Sequence, residues 1–115
     1  MLVNLNDVLL PAAEKGYGVG LFNTVNFEMA RGVLQAAQEL RAPVIIGTAE
    51  ILLPYGPLEE LSDMILPMAK KADVPVVVHY DHGLTFEKCV EALKLGFSSI
   101  MYDCSTDSYE ENIRK

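Results

Sequence analysis

The chain has 115 residues, half of them hydrophobic, with two cysteines and a formal net charge of −7 at pH 7. That length holds one modest domain with a real core, and the acidic balance argues against nucleic acid, whose binding rests on Lys and Arg contacts to phosphate. No apolar run approaches the ~20 residues of a spanning helix, no signal peptide is visible, and Cys89 and Cys104 are too few for a disulfide framework, so the expectation is a cytoplasmic protein without a membrane partner.

Residues 1–15 open with a helix. Asn4 is its N-cap, Asp7 makes a loose capping box, and Val8, Leu9 and Ala12 give an apolar face. Pro11 sits inside that pattern and predicts a kink or an early end. The expected place for this helix is a lid on the bottom of a barrel or sheet. Residues 16–22, with three glycines, read as the first strand, which runs into Asn23 and Thr24. Asn26 then caps a helix whose apolar positions Met29, Ala30, Val33, Leu34 and Ala37 keep helical spacing.

Residues 41–46 form the second strand, with Pro43 tolerated at its start, and it ends at Gly47-Thr48-Ala49-Glu50. Tyr55-Gly56-Pro57 is a turn that puts proline at a first helical position, and the helix continues through Leu58, Leu61, Ile65 and Met68 past Pro67. The third strand, in the stretch 74–83, carries the β-branched run Val76, Val77 and Val78, which suits a parallel strand buried on both faces, and ends in a cluster of ionisable side chains. Thr85 is the expected N-cap of the next helix, in which Phe86, Cys89, Val90 and Leu93 sit at helical spacing and Gly96 is the stop. Cys89 reads as packing, not as a nucleophile. Residues 97–102 are the fourth strand, and 109–115 begin another helix. Strands begin near residues 18, 43, 74 and 98, one strand and one helix per repeat, which is the pattern of a parallel α/β fold.

The polar side chains gather after the strands: Asn23, Thr48, the group His79, Asp81 and His82, and finally Asp103 and Ser105. Packing alone does not explain three ionisable groups within four residues at the end of a valine strand, because each costs several kcal/mol when buried unpaired. At the C-terminal ends of parallel strands they fall where α/β folds keep their chemistry. Imidazole is a common zinc ligand, and a catalytic zinc keeps an open position. Asp81 is a candidate proton donor or acceptor for a hydroxyl or carbonyl. Asp103 reads equally as a carboxylate near a metal or as a turn or helix cap, and Asn23 equally as an Asx turn.

Four stretches, Gly20-Leu-Phe-Asn23, Pro43-Val-Ile-Ile46, Val76-Val-Val-His-Tyr-Asp-His-Gly83 and Gly96-Phe-Ser-Ser-Ile-Met-Tyr-Asp103, resemble in that order the N-terminal part of class II, metal-dependent fructose-bisphosphate and tagatose-bisphosphate aldolases. The resemblance covers essentially the whole chain. It implies an α/β fold of the TIM (β/α)8-barrel type, with residues 1–115 forming about the first half. It also implies a dimeric or tetrameric lyase in which Zn2+ polarises the dihydroxyacetone-phosphate carbonyl and stabilises the enediolate. By position, Asp81 matches the catalytic aspartate that handles the proton on the C4 oxygen, and His82 matches the first zinc ligand. Asp103 matches a carboxylate linked to a second, mono- or divalent cation. Asn23, Thr48 and Ser105 become the substrate-binding candidates, and His79 a supporting one. Ala49 stands near a place where many relatives have serine, and Cys104 where many have glycine.

The other zinc histidines and the phosphate-binding loops belong to the second half of such a barrel. A complete one needs about 250 residues. The expectation is therefore a truncated piece that pairs with a second copy or with the missing half, because its first and fourth strands would be open edges. Two competing expectations stand beside the lyase: a non-catalytic half-barrel or assembly piece, and another phosphosugar barrel enzyme such as an isomerase.

Overall fold

A computed structural model describes all 115 residues. Five helices and four strands alternate: α1 Leu5–Lys15, β1 Leu21–Asn23, α2 Phe27–Glu39, β2 Val44–Ala49, α3 Leu58–Lys71, β3 Val76–Gly83, α4 Phe86–Leu95, β4 Ser99–Tyr102 and α5 Tyr109–Arg114, with a 3-10 turn at Glu50–Tyr55. The strands form one parallel sheet in the order β1-β2-β3-β4. This is the expected succession of βα units, and it leaves β1 and β4 as the edges.

The two faces of the sheet separate by alternation along each strand. Val44 and Ile46 of β2 and Val76, Val78 and Tyr80 of β3 face the helices and join a core of 18 buried residues. Ile45 and Val77 face the other way and meet Val8 of α1. Burying one such aliphatic side chain is worth about 1.5–3 kcal/mol, so the helix-covered face carries most of the stabilisation.

Helix α1 closes the bottom of the sheet, as expected. Its capping box is complete, with the Asn4 amide donating to Asp7 and the Asp7 amide to the Asn4 side chain. The segment before it is tied to β3, where Val76 N–H donates to the Met1 carbonyl and Val3 N–H to the Val76 carbonyl, both at 2.9 Å. Pro11 neither stops nor shortens the helix. It ends at Gly16, whose φ of 72° gives a left-handed cap, while Val8 and Ala12 are buried along its length. Capped ends and a packed face outweigh one missing backbone bond.

All four strand boundaries differ from the sequence reading, the third beginning at Val76 and not at residue 74, and running through the ionisable residues to Gly83. The first strand, expected over 16–22, pairs only through Leu21–Asn23. Gly16 belongs to the helix cap, and a glycine-rich edge segment has few side chains to hold a ladder. The second, expected over 41–46, instead begins at Val44 and runs on through Thr48 to Ala49. Arg41 turns at a φ of 53°, so the chain enters the sheet later than Pro43 suggested. The fourth begins at Ser99, not at residue 97.

Candidate active site

Register places Asn23 beside Gly47, Gly47 beside His79, and His79 beside Ser99, in one row across the face turned away from α2, α3 and α4. Asp81 stands one pleat further on, opposite Ala49. Gly47 matters in this row for what it lacks. A β-carbon there would lie 2.3 Å from the His79 carbonyl oxygen and 3.4 Å from Asn23 Oδ1. Its bare backbone leaves Asn23 free to reach across to β3.

Asn23 makes that reach, donating from Nδ2 to Asp81 Oδ2 at 2.9 Å. The other oxygen of Asp81 faces both imidazoles, 3.7 Å from His79 Nε2 and 3.9 Å from His82 Nε2. Asp81 is largely shielded, with its side chain 15% exposed. Ser99 Oγ lies 2.8 Å from His79 Nδ1 and orients that ring. Burial pushes the His79 pKa below the ordinary imidazole value, against the opposing pull of the Asp81 charge.

His82 behaves in the opposite way. Its side chain is 56% exposed, and Nδ1 lies 2.6 Å from Asp103 Oδ2. That hydrogen bond, with the Asp81 charge adding to it, raises the His82 pKa. The same bond, together with the Ser105 hydrogen bonds, holds Asp103 down at about 2. Ser105 N–H donates to Asp103 Oδ1 at 2.9 Å, so both carboxylate oxygens are engaged. The His82 backbone is left-handed, with φ 46°, and the β3–β4 register slips between Tyr80 and Gly83. A conformation of that kind costs on the order of 1–3 kcal/mol and persists where the surroundings enforce it.

The structure thus brings Asn23, His79, Asp81, His82, Asp103 and Ser105 to the C-terminal end of the sheet. Thr48 is not among them. It pairs in register with Tyr80, on the helix-facing side, and is fully buried with an unpartnered hydroxyl. Strand β2 runs three residues past the point where the sequence appeared to leave it, and its pairing with β3 turns Thr48 toward the helices. Thr85 is also not the side-chain cap expected of it: its hydroxyl donates to Glu50 Oε1 at 3.1 Å and makes no cap hydrogen bond. Cys89 is buried in the core, as read.

Sequence reasoning missed two residues. Ser99 carried a signal, since Ser98-Ser99 interrupts an otherwise apolar strand. Glu50 carried only its place directly after β2.

The chain by itself does not complete a metal centre. No three His, Cys, Asp or Glu side chains converge into a group able to hold an ion. His82 does have the chemistry of a single ligand, because the bond from Nδ1 to a carboxylate fixes the ring and leaves Nε2 as the donor.

A parallel βα sheet with a carboxylate and two imidazoles grouped at its C-terminal edge defines a barrel-type enzyme scaffold of about four units. The chain belongs to the class II fructose-bisphosphate aldolase family, whose model matches residues 3–115. It is 43% identical over 115 residues to a fructose-bisphosphate aldolase of Thermus caldophilus, and 43% identical over 114 residues to one of Helicobacter pylori. These matches take in 100% and 98% of this chain but 37% of each relative. The crystal structure of the YdjI aldolase from Escherichia coli K12 superimposes on 99% of this chain with a TM-score of 0.96 at 39% identity, using 43% of that chain. The chain therefore spans about two-fifths of the length of these relatives, and its sheet corresponds to the first half of a TIM barrel.

Proposed function

We propose that these residues form the proton-transfer half of a zinc-dependent ketose-bisphosphate aldolase. The substrate would be fructose or tagatose 1,6-bisphosphate, cleaved reversibly to dihydroxyacetone phosphate and glyceraldehyde 3-phosphate. The observation that carries this reading is the setting of Asp81, a shielded carboxylate held by Asn23 at 2.9 Å and facing two imidazoles. In the cleavage direction, Asp81 takes the proton from the C4 hydroxyl. The C4–O bond becomes the aldehyde carbonyl, the C3–C4 bond breaks, and its electron pair moves into the ketose-derived half. A general base so placed contributes about 10²–10⁴ in rate.

The supporting roles follow from partners already described. Asn23 fixes the Asp81 carboxylate with Nδ2. His79, held neutral by burial and oriented by Ser99, walls the other side of Asp81. Asp103 keeps the His82 ring turned so that Nε2 is the ligating atom. A zinc ion would take His82 as one ligand and the others from outside these 115 residues, and when bound it supplies Lewis-acid polarisation of a carbonyl. Ser105, exposed beside Asp103, lies where a substrate would enter.

The test is a reconstituted barrel, in which this chain is continued by the remaining residues of the Thermus caldophilus relative. It should retain zinc and cleave fructose or tagatose 1,6-bisphosphate. His82→Ala should lose metal and cleavage together. Full zinc content and full rate in that variant would contradict the proposal.

A further inference from the structure

Outside the cluster, one carboxylate has an unusual number of donors. Glu50, the first residue after β2, accepts from the Leu84 amide at 2.8 Å, the Thr85 amide at 3.2 Å, the Thr85 hydroxyl at 3.1 Å and the Tyr80 hydroxyl at 3.1 Å. Hydrogen bonds to an ionised carboxylate are stronger than neutral ones. Burial works against the charge on Glu50, but these donors outweigh it and hold the pKa below the usual glutamate value. The two amides belong to the entrance of α4, where donors lack intrahelical partners, and Thr85 supplies no side-chain cap of its own. A side chain more than 30 residues away holds the two amides that lead into this helix.

The placement of those bonds along the chain is the telling part. Glu50 grips Tyr80 on one side and Leu84 and Thr85 on the other, and so brackets Asp81, His82 and Gly83. Within that bracket lie the left-handed His82 and the register slip against β4. Gly83 leaves no room for a side chain in the turn, since a β-carbon there would stand 2.4 Å from Cys89 Sγ and 2.9 Å from the Tyr80 ring. Tyr80 is fixed independently of Glu50, by the β2 ladder and by an edge-to-face contact with Phe97 at 6.1 Å. The far side of the turn is held by the carboxylate at Leu84 and Thr85 and by β4 at Gly83, whose carbonyl accepts from the Asp103 amide at 2.9 Å.

We propose that Glu50 is a positioning residue that holds the turn after Tyr80, and thereby the left-handed backbone of His82 that sets its imidazole against Asp103. Its importance for catalysis rests on the aldolase reading above, through His82. Glu50 itself touches none of the groups in the cluster.

The three-bond amide-to-Hα coupling of His82, measured by NMR on the 115-residue chain, reports φ directly. The wild type should give the smaller coupling of a left-handed residue. Glu50→Gln, which loses the charge and one acceptor, should move it to the larger coupling of extended backbone and speed amide exchange at Leu84 and Thr85. Tyr80→Phe removes a Glu50 bond without freeing the turn, so His82 should keep its coupling even though the core is weakened. A merely structural Glu50 would make these two variants behave alike, which would overturn the proposal. An extended-type coupling in the wild type would also overturn it. Should Glu50→Gln fail to fold, Thr85→Ala removes one of the three turn bonds with the carboxylate intact. Faster exchange at Leu84 would then support the bracket, and unchanged exchange would refute it. None of these readouts needs metal or substrate. Their failure leaves the aldolase reading standing, and a barrel without zinc or cleavage leaves the bracket standing.

Discussion

The two faces of this one sheet are built on opposite terms. The face under α2, α3 and α4 is dry and filled, with Val76, Val78, Ile46 and Tyr80 fully buried against helix side chains. The other face holds three buried apolar residues at its bottom, Val8, Ile45 and Val77, and above them a row of polar groups. Strand β3 serves both, because successive side chains point to opposite sides. Stability is concentrated on one side of the strand, so the other side is free to hold charges, a strained turn and a glycine gap.

Substitutions can test that division. The largest effect on stability is expected on the filled face: Ile65→Ala, at a fully buried position of α3, should cost about 2–5 kcal/mol in urea unfolding. A loss below ~1 kcal/mol would mean that the outer core is not what holds the sheet. Gly47→Ala comes next. Its β-carbon meets backbone, the His79 carbonyl at 2.3 Å, and overpacking of this kind costs about 1–3 kcal/mol. It should also separate Asn23 from Asp81, visible as a shift of the Asn23 side-chain amide resonances. Asn23→Ala should cost about 1–2 kcal/mol, because the bond to the Asp81 carboxylate that it removes is partly offset by loss of an unpartnered buried oxygen. Equal losses for Ile65→Ala and Asn23→Ala would erase the contrast between the faces.

The smallest effect sharpens the contrast within the site itself. The chain has two histidines, and their imidazole resonances should titrate on opposite sides of the ordinary value. For His82, the Asp103 hydrogen bond raises the folded pKa. Its contribution to stability is therefore complete below the ordinary histidine value and lost as pH rises through the raised one. For His79, burial lowers the folded pKa, so its contribution is present above the ordinary value and lost as pH falls through the lowered one. Asp103 acts in the same sense further down, its contribution fading below the ordinary carboxylate range toward about 2. Between the two histidine transitions, His82 is charged and His79 neutral. Coincident titration would contradict the paired environments.

Much of this was legible in the residues. Val76-Val77-Val78 announces a strand buried on both faces, and the recurrence of strand and helix announces a parallel sheet. The group His79, Asp81 and His82 marks the end of that sheet where chemistry gathers. Thr48 was misread because the end of an apolar run is not the end of a strand: β2 continues by pairing with β3, and only that pairing decides which way residue 48 points. Glu50 and Ser99 were hidden for a related reason. Their partners lie 20 to 35 positions away in the sequence, and no local pattern encodes a contact that register and folding create. Pro11 and Thr85 show the same limit at helix ends, where a glycine cap in one case and a distant carboxylate in the other replaced the expected local signal.

The central claim is that Asp81 is the proton-handling group and stands apart from metal retention. The most direct measurement is the cleavage rate of Asp81→Asn in the reconstituted barrel, with zinc content determined on the same sample. The account predicts a loss of about 10²–10⁴ in rate with zinc unchanged. A variant that keeps the wild-type rate, or one that loses its zinc along with its rate, would contradict it.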